Sequence, residues 1–243
     1  MVTDAGFEFS GYQAAAFYVR LALGVRSILT QVLGEVGEVL DGDPISLPVP
    51  AEAPPEIPRV MLTSKDRALR FDISLTRADF RWQRTEGALD LTRFLGNAQR
   101  AFQALNRSAE SLPGRLALVA HRFKPEPDAG RVLAAHFCRP ELLENTPRHK
   151  GPLNRPEAFE LHAFKQFRLN HFAVNSWFRA KTGTVDTKNP RSVVMIEQDL
   201  NTPQEQLEQT RFSGDDIREF HRLSTAELDT IMRLYFPPSP LTK

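Results

Sequence analysis

Cysteine is almost absent, Cys138 being the only one in 243 residues. An intrachain disulfide and a cysteine-based zinc site are thereby excluded, and a reducing compartment, the cytoplasm, is the expected location. Long uncharged apolar runs are missing as well. The most apolar stretch, 14–40, is interrupted by Arg20, Arg26, Glu35 and Glu38, whereas a membrane-crossing helix needs about 20 largely uncharged residues. The chain opens with Asp4 and Glu8 and lacks the basic leader of a signal peptide. No membrane association is expected. Its 13 glycines are dispersed and form no GxGxxG, Walker or GxSxG pattern, so no phosphate cradle is encoded. No cofactor and no metal ion is expected. Only 3 Tyr and 2 Trp accompany 17 Phe, a balance that favours apolar packing over a ring-lined recognition surface.

What the sequence has in place of motifs is segregated charge. The formal net charge of +1 conceals a middle segment, 59–191, with 24 Lys and Arg against 13 Asp and Glu. Residues 1–58 carry a net −6 and residues 192–243 a net −4. A basic middle between acidic ends speaks of surfaces and partners, not of a reaction.

The first element predicted is a long amphipathic helix over about 11–40. Ser10-Gly-Tyr-Gln13 has the form of a capping box, and Phe17, Leu21, Val25, Ile28, Val32, Val36 and Val39 recur every three or four residues. Such a helix would be about 45 Å long, enough for Leu21, Val25, Ile28 and Val32 to pack on a second copy as the oligomerisation stripe. Residues 1–42 thus form an N-terminal helix, and 43–58, with six prolines, an extended linker. Residues 59–236 are the body.

Within that body Leu69, Phe71, Ile73 and Leu75 alternate with polar residues, as do Phe80 and Trp82, which predicts half-buried strands. A helix follows from Asp90 with the stripe Leu91, Phe94, Leu95, Ala98, Phe102 and Leu105, then a strand over 115–123 and a short helix from Asp128. A proline-bearing loop spans 144–156. Strands are predicted again at 157–169, 171–181 and 191–200, and capping boxes at Thr202, Ser213 and Ser224 predict three short terminal helices. The fold class read from this order is α+β: antiparallel sheet packed with helices, preceded by the long helix, with 59–143 and 157–236 as two candidate related halves.

The strand Val193-Val-Met-Ile196, the following Glu197-Gln-Asp-Leu-Asn-Thr202, then Phe212-Ser213 and a helix ending Leu234-Tyr-Phe236 resemble a sporadically distributed, uncharacterised bacterial family of similar length. The hairpin Leu69–Trp82 and the helix over Phe94–Phe102 are similar to its first half, so the resemblance covers about 58–236. That family often sits near mobile-element or phage-defence genes. The resemblance implies such a context and supplies no catalytic residues.

Three functions are consistent with these residues. Arg70, Arg81, Lys165, Arg168, Arg179, Lys181 and Arg191, interleaved with Phe164, Phe167, Trp177 and Phe178, form a basic surface. It suits a non-enzymatic interaction subunit of a larger assembly or homodimer that engages an acidic protein partner. The same cations and rings are the ingredients of single-strand nucleic-acid binding, in which phosphates meet the cations and bases stack on the rings. Thirdly, His162, His171, Glu197 and Asp199 on neighbouring strands could serve a metal-dependent hydrolase, although their spacing matches no known zinc pattern. The acidic terminal helices, bearing Asp215, Asp216, Glu219, Glu227 and Asp229, could equally lie against the basic sheet and neutralise it.

Overall fold

The computed structural model describes residues 3–22, 24–50, 52–85, 90–144, 151, 156–185 and 188–238. The elements in chain order are β1 (Glu8–Phe17), α1 (Val25–Val36), β2 (Ile45–Ser46), β3 (Val60–Thr63), β4 (Leu69–Ile73), β5 (Arg77–Gln83) and α2 (Leu91–Ala109). They are followed by β6 (Arg115–Pro125), α3 (Ala129–Phe137), β7 (Glu160–Leu169), β8 (Phe172–Val185), β9 (Arg191–Asn201) and α4 (Gly214–Tyr235). The nine strands make one antiparallel sheet in the order β2-β3-β4-β5-β1-β6-β9-β8-β7. The proline-bearing loop read at 144–156 lies mostly outside the described residues. No described helix is long and apolar enough to cross a membrane.

The long N-terminal helix does not exist. Its first seven residues, 11–17, belong to β1, at the centre of the sheet, and helix begins only at Val25. Tyr12, Ala14 and Ala16 are buried in the core while Gln13 and Phe17 are half-exposed, an alternation with the period of a strand. Alanine favours helix intrinsically, but pairing on both edges, with β5 and with β6, overrides that preference. At Gly11 the backbones come so close that a Cβ would sit 2.9 Å from the Trp82 carbonyl oxygen, and the register with β6 slips between Phe9 and Gly11.

The segment 43–58 is no free linker. β2 pairs with β3, Leu47 N–H donates to Arg59 O, Arg59 Nη1 to Val49 O, and Leu75 N–H to Pro55 O. The prolines therefore run along the β2 edge, where a missing N–H is tolerated. At the other end, one 22-residue helix replaces the three predicted. Ser213 and Asp216 form its capping box, whereas Ser224 is buried mid-helix and only a 3₁₀ turn, Gln204–Gln206, follows Thr202.

Reading outward from the central pair β1/β6 gives β5-β4-β3 on one side and β9-β8-β7 on the other. Each flank arises from the same succession, strand, helix, three strands in a meander, helix; the short β2 is the one addition. The topological units thus begin at β1 and β6, at residues 8 and 115, instead of at 59 and 157.

All four helices contribute to one apolar core built on a single face of the sheet. Phe71, Phe80, Ala14, Leu118, Leu200 and Phe178 point into it from six successive strands. Leu21, Ile28 and Val32 are completely buried there, against α2 and the sheet. The stripe assigned to oligomerisation is therefore consumed inside the chain, and Val25 is left half-buried beside it.

Candidate functional site: the helix-free face of the sheet

Residues paired across an antiparallel ladder project from the same face. One row across the uncovered face runs Thr63, Arg70, Arg81, Gln13, Val119, Asp199, Trp177 and Phe164. The adjoining row runs Gln83, Gly11, His121, Glu197, Arg179 and His162. By this register the face carries Arg70, Arg77, Arg81, Arg115, Arg168, Arg179, Lys181 and Arg191 against Glu8, Asp72, Asp79, Glu160, Glu197 and Asp199, a net +2.

These charges are organised in two networks. On the β4/β5 side, Asp72 is only 3% exposed and accepts from Arg70 Nε at 2.6 Å and Arg81 Nη1 at 3.1 Å. Asp79 accepts from Arg77 Nε at 2.9 Å and from Gln13 Nε2 at 2.7 Å. The guanidinium groups of Arg77 and Arg115 both lie over the Phe17 ring, at 4.7 and 4.4 Å, as two cation–π contacts. On the β8/β9 side Arg179 binds Glu197 and also lies over Trp177 at 5.1 Å, with Phe164 at 4.5 Å from that indole. Phe164 remains 49% exposed.

Between the networks is a groove of about 750 Å³ lined by Gln13, Arg67, Arg70, Arg81, Gln83 and His121, with Ile45 and Met195 as apolar walls. Burial lowers the His121 pKa, partly offset by Glu197, so the imidazole offers a neutral donor and acceptor there at neutral pH. Burial also raises the Asp199 carboxyl above its ordinary range, against the hydrogen bond from Asn201 Nδ2 at 2.9 Å. The site can make bidentate hydrogen bonds to carboxylates or phosphates through its arginines and stack planar groups on Trp177 and Phe164.

The sequence-derived cations divide. Arg70, Arg81, Arg179 and Lys181 lie on this face, Arg168 at the hairpin end, where it donates to His171 O at 3.1 Å, and Arg191 at the opposite end of β9. Lys165 pairs with the buried Ser176 and projects from the helix side, so it is not part of the surface. The rings divide likewise: Phe164 and Trp177 face outward, Phe167 and Phe178 toward the core. Gln13, Arg77, Arg115 and His121 cannot be placed on this face while 11–17 is taken as helix, because β1 is what sets their register; the alternation of Tyr12, Ala14 and Ala16 is the signal in the sequence that points to a strand.

The His162, His171, Glu197 and Asp199 constellation is not assembled. His171 occupies the β7–β8 turn and lies 3.6 Å from Asp216 of α4, while His162 is nine residues back along β7, about 30 Å at strand rise. His162 contacts Glu160 at 2.7 Å and is separated from Glu197 by Arg179. Among the described residues no three His, Cys, Asp or Glu side chains converge as a metal site.

The acidic α4 does not cover the basic surface, because it packs on the opposite face. Its Asp229 pairs there with Arg122 at 3.0 Å, and Asp215 and Glu219 bind Arg218 and Arg222 of the same helix. Among the described residues, the carboxylates that pair with the arginines of the open face lie in the sheet itself. No protein-family model matches this chain, and no curated protein matches it.

Proposed function

We propose that the protein is a non-enzymatic interaction subunit whose helix-free sheet face engages an acidic protein partner. The observation that carries this reading is the placement of all four described α-helices on one face, which leaves the other with ordered arginines, the outward rings of Phe17, Trp177 and Phe164, and a groove. Arginine and tryptophan are the residue types that dominate binding hot spots. Arg70, Arg77, Arg81 and Arg179 stand beside carboxylates, so a partner is read there by geometry, as exchanged hydrogen bonds and ion pairs, more than by a bulk positive field. We take the partner to belong to a bacterial phage-defence or mobile-element system, the context implied by the family resemblance over 58–236.

A photo-crosslinking residue tests this when placed at the exposed Gln83 on the open face and, as control, at Arg218 on α4. Partners captured in bacterial cells from Gln83 and not from Arg218, and acidic in sequence, support the reading. The same products from both positions would overturn it.

The Arg179–Trp177–Phe164 stack favours a second reading, single-strand nucleic-acid binding through stacking and phosphate contacts. Trp82 is buried, so of the two tryptophans only Trp177 would report a stacked base. Oligonucleotide quenching of fluorescence that falls steeply with salt and is lost in Trp177→Phe supports this reading. Its absence at low ionic strength removes it.

A further inference from the structure

The sheet has two edges that differ in kind. β2 is two residues long and is continued by the proline-bearing strap, a blunted edge. β7 is ten residues long and contains neither proline nor glycine. Thr182 N–H donates to Phe159 O, and Phe159 lies opposite Thr182 in the register. Odd residues of β7 therefore bond inward to β8, and the N–H and C=O groups of residues 160, 162, 164, 166 and 168 point away from the sheet. Among the described residues nothing bonds to them.

From this edge we infer that two copies of the chain pair β7 against β7, antiparallel about a two-fold axis through Phe164, into one continuous eighteen-stranded sheet. The strand Glu-Leu-His-Ala-Phe-Lys-Gln-Phe-Arg-Leu is self-complementary in that register. Glu160 stands opposite Arg168 of the second copy, His162 opposite Gln166, and Phe164 opposite itself; on the helix side Leu161 meets Phe167. Every outward backbone group finds a partner. Sliding by two residues in one direction sets Lys165 against itself. The other direction sets Glu160 against Gln166 and Arg168 against Ala158. A shift by one residue would set outward groups against inward ones.

Because the axis is perpendicular to the sheet, the two open faces become one surface, and the two Trp177–Phe164 pairs join into a single aromatic row across the seam. That accounts for a half-exposed phenylalanine on a bare edge strand, a position at which soluble proteins usually place charge or proline.

Sedimentation of the full chain over a concentration series tests the pairing, with Gln166→Pro as the first variant. Proline there removes an outward N–H and one exposed side-chain hydrogen bond, from Gln166 Nε2 to Asn175 Oδ1, and leaves the β7–β8 ladder intact, so melting should change little while the dimer is lost. Glu160→Arg alone and Arg168→Glu alone should each weaken association about tenfold, since symmetry breaks two ion pairs at once. The double variant Glu160→Arg/Arg168→Glu should restore it. A species at twice 27.5 kDa for wild type and the exchange variant, with monomer for Gln166→Pro, is the expected result. A monomeric wild type, a dimer that survives Gln166→Pro, or failure of the charge exchange to restore association would each overturn the inference.

Discussion

Lowering the pH from 7 to 5 should weaken the fold by about 2 kcal/mol through His221 alone. This α4 side chain is buried in the core beside α2, with the rings of Phe102 and Phe220 at 6.5 and 6.1 Å. Neither ring nitrogen has a hydrogen-bond partner among the described residues. Burial pulls its pKa from 6.5 down to about 4, and no charged group contributes. The folded state therefore resists protonation while the unfolded chain takes up the proton near pH 6.5. Stability is complete above that value and is lost as the pH falls toward 4, by about 3 kcal/mol in all, at 1.36 kcal/mol per pH unit. Urea denaturation at pH 7 and pH 5, followed by circular dichroism, measures the loss. In His221→Leu, which removes both unpartnered nitrogens at similar volume, the loss between the two pH values should shrink by about 2 kcal/mol. Equal pH dependence in wild type and variant would refute the assignment.

Asp72→Ala should destabilise by about 1–2 kcal/mol, because Arg70 and Arg81 lose a shared, nearly buried acceptor yet are 43% and 41% exposed and can turn to water; an unchanged urea midpoint would contradict this. Ile28→Asp should unfold the chain, or cost at least about 3 kcal/mol, since a carboxylate would enter a fully enclosed apolar site. A folded, normally melting Ile28→Asp protein would show that α1 does not belong to the core.

The parts of the fold that the sequence made legible are those whose signals are local. The α2 stripe ends on an Asp90 side chain that does accept from Arg93 N–H, and the Ser213–Asp216 box closes as its spacing suggests. β1 was illegible for a physical reason. Its alanines state a helical preference, and the two strands that overrule it lie far along the chain. Ser224 shows the converse failure, a capping pattern satisfied in sequence but buried inside a continuous helix. At the site, single cations could be named from alternation. Which of them share a face depends on register across six strands, which alternation within one strand does not carry; that register turns Lys165 to the helix side and brings Arg77 and Arg115 onto the open face.

The position of β1 also bears on how the chain is made. β1 leaves the ribosome before both of its neighbours, and the nearer of them is far off: Gln13 and Asp79 are separated by 66 residues. At about 5–20 residues per second, this strand waits roughly 3–13 s for β5 and longer for β6. Throughout that interval both of its edges are open, in a segment with few charges. A nascent-chain chaperone, or a cis-acting tag placed to shield residues 8–17 during synthesis, should therefore raise the yield of native protein more than the same help supplied after release.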